Sequence, residues 1–235
     1  MQMPAAAGAR FPLAVKMIMI DLDGTLVDTA PDIADSANLM LADLGREPHP
    51  LDRIAEWIGN GVSRLVKRAL TGEMWAEPDA PLFEQAIARF RHHYGERVAA
   101  KSRPFPGVVD GLEELARARF RLACITNKAG AFTRPLLDAL DLSRYFELVL
   151  SGDSLPKKKP DPLPLLHACE HFGIRPEQGL LVGDSGNDVK AARAAGMHVV
   201  CVSYGYNHGQ DVRELNPDAV IESLGDLPRL VTLVL

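Results

Sequence analysis

The chain has 235 residues, of which 47% are hydrophobic and 24% charged, with a formal net charge of −5. That is the composition of a globular protein with room for a full core and a second, smaller unit, and it excludes disordered and fibrous classes. The acidic balance argues against sequence-independent nucleic-acid binding, and no run reaches the roughly 18 apolar residues of a membrane span.

Residues 1–12 read as a loose tail. The run Ala5–Ala7 is too short for a secretory leader, and Arg10 and Pro12 interrupt it. The first strand-like run, Val15–Ile20, ends on Asp21-Leu22-Asp23-Gly24-Thr25. Helical patterns follow at Ile33–Leu44, Arg53–Trp57, Val62–Leu70 and Pro81–Val98, bordered by Pro31 and by Arg103-Pro104-Phe105-Pro106-Gly107. Further strand-like runs are Arg121–Ile125, Glu147–Leu150, Gly179–Val182 and His198–Val202. They alternate with helical patterns at Gly107–Ala118, Ala129–Leu140, Pro162–Phe172 and Asn187–Ala195. Continuous apolar strands alternating with helices predict an α/β fold, a Rossmann-like parallel sheet covered on both faces.

One spacing breaks that rhythm. A simple strand–helix–strand unit needs roughly 30 residues, yet far more than that separate Asp21 from Thr126, the polar residue closing the next strand. The excess predicts an all-helical cap domain inserted at 29–104, standing over the strand ends of a core built from 1–28 and 105–235. Cys124, Cys169 and Cys201 are an odd number without CxxC spacing, which fits reduced thiols and a cytoplasmic location.

Chemistry concentrates at the strand ends, where a parallel sheet presents polar residues to a crevice. Asp21 and Asp23 stand two apart at the first such end. If the chain turns there, one carboxylate can attack an electrophile while the other protonates the leaving oxygen and then activates water. The same Asp and Gly residues also make an ordinary turn. Three further segments fall in order: Thr126-Asn127-Lys128 after the second strand, Lys157-Lys158-Lys159-Pro160, and Gly183-Asp184 with Asp188. His167-Ala168-Cys169-Glu170-His171 spells a zinc pattern, but on a helix whose apolar residues Leu163, Leu166, Cys169 and Phe172 leave the histidines at the flank with no third ligand.

Together these four segments resemble the haloacid-dehalogenase-like superfamily, from Val15 onward. The resemblance implies a phosphatase or phosphomutase in which Asp21 is the nucleophile, Asp23 the acid–base residue, and Thr126, Asn127 and Lys159 hold the phosphoryl group. It also implies Mg²⁺ bound by the Asp21 side chain, the Asp23 carbonyl and Asp184, with Asp188 beside them. The partner it implies is a small phosphorylated metabolite, not nucleic acid or membrane, acted on by a monomer or homodimer. In the cap, Trp57-Ile58-Gly59-Asn60-Gly61 precedes a helix whose N-terminus suits an anion, and Arg64 follows within one turn to meet a carboxylate. With Phe105-Pro106-Gly107-Val108 and Ser203-Tyr204-Gly205-Tyr206-Asn207, this segment is similar to bacterial phosphoglycolate phosphatases. A sugar-phosphate phosphatase or a β-phosphoglucomutase-like enzyme is the alternative, although the mutase lysine before Gly61 is Asn60 here. A non-catalytic regulatory protein on this fold is the alternative of another class.

Overall fold

The computed structural model describes residues 11–234. Strands β1 (Leu13–Val15), β2 (Met17–Ile20) and β3 (Val27–Asp28) come first, then helices α1 (Ala30–Asp43), α2 (Leu51–Ala55), α3 (Val62–Thr71) and α4 (Ala80–Glu96). Strand β4 (Arg103–Pro104) leads into α5 (Val108–Arg117), β5 (Arg121–Ile125), α6 (Gly130–Ala139), β6 (Leu148–Leu150), α7 (Leu163–Phe172), β7 (Gly179–Gly183), α8 (Gly186–Ala195) and β8 (His198–Val202). The short strands β9 (Ala219–Ile221) and β10 (Val231–Leu233) close the described chain.

Six strands form one parallel sheet in the order β6-β5-β2-β7-β8-β9, as the alternation of apolar strands and helices predicts. Alternate residues of each strand face opposite sides. Ile18, Ile20, Leu122, Cys124, Leu180 and Val182 join the core under α5 and α6. Met17, Met19, Ala123, Ile125 and Leu181 join the core under α7 and α8. Central strands buried on both sides explain the unbroken apolar runs. The chain leaves β2 toward β5 on one side and later toward β7 on the other, so a crevice opens at the carboxyl ends of β2 and β7.

Helices α1 to α4 bury a third core of their own, around Met40, Trp57, Val66, Phe90 and Tyr94, completed by Phe132 of α6. The two chain crossings into and out of this helical set pair as an antiparallel two-strand ribbon, Val27 opposite Pro104 and Asp28 opposite Arg103.

Two expectations need correction. Val15–Ile20 is two strands, because Val15 pairs with Leu233 of β10 whereas Met17 onward belongs to the main sheet, and Lys16 turns out between them to donate its N–H to Gln178. Of the tail, residues 1–10 lie outside the described residues, and Phe11 and Pro12 lead directly into β1. On α7 the buried stripe is Leu165, Ala168, Cys169 and Phe172, and Leu166 is exposed. His171 is also exposed, and the zinc spelling forms no ligand cluster among the described residues.

Candidate active site

The chain leaves β2 through a tight turn. Leu26 and Val27 both donate their N–H to the Leu22 carbonyl at 3.0 Å, and Gly24 donates to Val27. Gly24 has φ +83°, in the left-handed region that glycine takes without strain. A side chain there, or at Gly205, would collide with the Asp184 carboxylate. These two glycines form a close-fitting cradle for that group.

The turn brings both early aspartates into the crevice. Asp21 takes the Leu22 N–H at 2.8 Å and lies 3.0 Å from the Lys159 ammonium. Lys159, from the loop before α7, is almost wholly buried and also reaches Asp188 at 2.6 Å. Asp188, in the first turn of α8, accepts from the Ser185 N–H and hydroxyl. Asp184, at the end of β7, accepts from Thr25 at 3.1 Å and from the Tyr206 N–H at 2.5 Å. Ligand-type oxygens of Asp21, Asp184 and Asp188 all lie within 4.8 Å of one another.

Three buried carboxylates at such range repel one another, and the electrostatics register it. Burial pushes the Asp21 carboxyl up to about 7, with Lys159 pulling it down and Asp188 adding to the rise. Asp184 is raised well above the ordinary carboxylate range by burial, then by Asp188 and Asp21. Burial would lower Lys159, yet the two aspartates beside it hold the ammonium above its ordinary pKa. A cluster of oxygen donors that resists carrying its full negative charge fits a hard divalent cation, which would relieve the repulsion.

Thr126 and Asn127 follow β5 on the opposite lip, both buried. The Asn127 amide donates to the Gly59 and Lys159 carbonyls, while its buried carbonyl oxygen has no partner. Lys128 next to it is a residue whose role sequence reasoning missed. Its ammonium meets Asp23 at 2.9 Å and the Tyr94 hydroxyl at 2.6 Å.

The segment before α3 closes over the crevice, gripped from the core by its main chain. Asn127 and Asn187 both donate to the Gly59 carbonyl, Lys158 donates to Asn60 at 2.9 Å, and His208 Nδ1 meets the Glu56 carbonyl at 2.5 Å. Gly61 caps α3 with φ +83°, and a side chain there would press on Lys158. The cavity is lined by Asp21, Asp23, Asp184, Thr126, Asn127 and Lys128, with Ile33, Ile58, Val62, Leu65 and Phe90 as an apolar wall.

Asn60 and Arg64 are placed differently from expectation. The Asn60 side chain accepts from Arg68 at 2.7 Å, so it braces the segment, and it does not line the cavity. Arg64 is turned outward to Glu77 at 3.0 Å and lies over the Trp75 ring. The buried arginine of α3 is Arg68, which donates to the Trp57 carbonyl. Arg64→Ala should therefore change kcat/KM by no more than about threefold, and steady-state kinetics on the purified variant check this.

Tyr206 has a role that its motif alone does not reveal. Its N–H holds Asp184, and its hydroxyl meets both Asp28 and the Ala30 N–H, joining the carboxylate cluster to the chain crossing.

A family profile described as haloacid dehalogenase-like hydrolase matches residues 18–202. The chain is 61% identical to a phosphoglycolate phosphatase of Thiobacillus denitrificans, over 94% of this chain and 98% of that one. It is 56% identical to a phosphoglycolate phosphatase of Nitrosospira multiformis, over 94% and 97%. Among solved structures, a predicted phosphoglycolate phosphatase from Haemophilus somnus 129pt superposes with a TM-score of 0.85 at 36% identity, over 91% of this chain and 96% of that one.

Proposed function

This chain belongs to the haloacid dehalogenase-like hydrolase family, and from that premise we propose that it is a phosphatase converting 2-phosphoglycolate to glycolate and phosphate. The observation that carries the reaction is the meeting of Asp21 and Lys159 beside two further buried carboxylates, at a cavity that Asp21, Asp23 and Asp184 line. The substrate rests on the named relatives.

In this reading Asp21 Oδ attacks phosphorus and the bond to the ester oxygen breaks. Asp23, protonated, gives its proton to the departing glycolate oxygen. Asp23 as carboxylate then takes a proton from water, whose oxygen attacks the aspartyl phosphate and returns Asp21 free. Thr126 and the N–H of Asn127 hold phosphoryl oxygens, and Lys159 favours the ionised form of Asp21 and offsets the transferring charge.

Asp21, Asp184 and the Asp23 main-chain carbonyl would hold Mg²⁺, with Asp188 adjoining, its oxygens engaged by Lys159 and Ser185. Bound Mg²⁺ supplies positive charge against the repulsion between a dianionic ester and an ionised aspartate. Residues 29–104 serve as the cap, which opens to admit substrate and closes to keep bulk water out. No described helix is long and apolar enough to cross a membrane. The three buried free cysteines support a reducing cytoplasmic setting.

A substrate panel with Mg²⁺, repeated after EDTA, tests the proposal. We expect 2-phosphoglycolate to exceed any hexose phosphate by more than about tenfold in kcat/KM, and EDTA to abolish turnover. A hexose phosphate in front would overturn the substrate, and indifference to EDTA the cofactor. No turnover of any ester would favour the non-catalytic alternative.

A further inference from the structure

We propose that Lys128 is the specificity-determining residue for the substrate carboxylate, held in place by Tyr94 of α4. The inference rests on the 2-phosphoglycolate reading above, and it assigns the second anionic group of that substrate a partner. Lys128 is the one cationic side chain lining the cavity among the described residues. The other nearby cations are already committed. Lys159 is shared between Asp21 and Asp188, Lys158 is on the Asn60 carbonyl, and Arg64 is outside with Glu77.

An ammonium has three N–H donors. One goes to Asp23 and one to the Tyr94 hydroxyl, and the third has no acceptor among the described residues. The Lys128 side chain is only 4% exposed, so a carboxylate reaching it meets a desolvated charge, where a charge-assisted hydrogen bond is strong.

The chain length of the substrate fits this placement. Asp23 serves the ester oxygen, and the carboxylate of phosphoglycolate begins one CH₂ beyond that oxygen. Lys128 stands one hydrogen bond beyond Asp23, at 2.9 Å. A longer or uncharged leaving group puts its bulk against the apolar wall and leaves the ammonium unmatched. Tyr94 fixes the far side of the ammonium. Its ring is clamped against Phe90 and Phe132, with centroids 5.6 and 4.9 Å away, so the lysine has little freedom to swing.

The test is a ratio. 2-Phosphoglycolate and ethyl phosphate share the O–CH₂ unit and differ in carboxylate against methyl. We expect Lys128→Met to lower the ratio of their kcat/KM values by at least about tenfold, the weight of one hydrogen bond to a charged group. A lysine that only steadied Asp23 would slow both esters alike and leave the ratio unmoved, which would overturn the proposal. Should that variant fail to fold, Tyr94→Phe, which keeps the charge, decides on the same ratio. A smaller fall supports the proposal and an unchanged ratio overturns it. If the unmodified enzyme itself shows no preference for 2-phosphoglycolate over ethyl phosphate, the fault lies in the substrate reading, a result distinct from a preference that survives in the variants.

Discussion

Asp21→Asn should lower turnover by at least about 10⁴-fold while the protein stays folded and still binds inorganic phosphate. An amide oxygen cannot form and release the acyl phosphate, so both chemical steps are lost together. The fold tolerates the change because Lys159 keeps Asp188 at 2.6 Å as a counter-ion, and the Leu22 N–H can still meet the amide oxygen. The exchange also removes one member of a crowded carboxylate cluster, whose crowding contributes to holding Asp21 near 7. Thermal melts, phosphate titration and single-turnover assays check the three parts. Activity within tenfold of the parent would remove Asp21 from the nucleophile's role.

The second large effect belongs to Lys159→Met. Here stability and activity should fall together, because the ammonium is the buried partner of two carboxylates at once. Breaking a buried pair by removing one side costs about 3–5 kcal/mol, or roughly 10 °C in melting temperature for a chain of this size. Turnover should fall by about 10²–10³-fold, as for loss of one preorganised charge at a developing anion. Excess Mg²⁺ should recover part of the lost stability, since a cation in the cluster screens Asp21 from Asp188. A variant that melts like the parent without metal would mean the two aspartates are not held ionised by this lysine.

Much of this was legible in sequence for a simple physical reason. Strands buried on both faces write long apolar runs, and the polar residue that stops each run is by construction at a strand end. Asp21, Thr126 and Asp184 could therefore be assigned to one edge of one sheet before any coordinates. Short strands outside the strand–helix alternation were silent: the Val27–Asp28 ribbon with Arg103–Pro104, and β9 and β10, left no trace, whereas the equally short β6 stood in the alternation and was read. Long-range pairing was equally silent. Tyr94 lies on a helix far along the chain from Asp23, and only the folded path puts both on Lys128. Sequence singled out Arg64 and gave no sign of the buried Arg68. They sit one helical turn apart, and it was the Trp57 carbonyl and the Asn60 side chain, placed by the preceding segment, that drew in the second of them.

The grip on residues 56–60 carries an evolutionary consequence. Every acceptor that the core seizes there is a peptide oxygen, which each amino acid possesses, so the clasp asks little of the segment's side chains beyond Gly59, whose φ is +113°, and Asn60, which donates to Asn187. Selectivity is then free to drift on one partner while the clasp is inherited through the other, at Asn127, Lys158, Asn187 and His208.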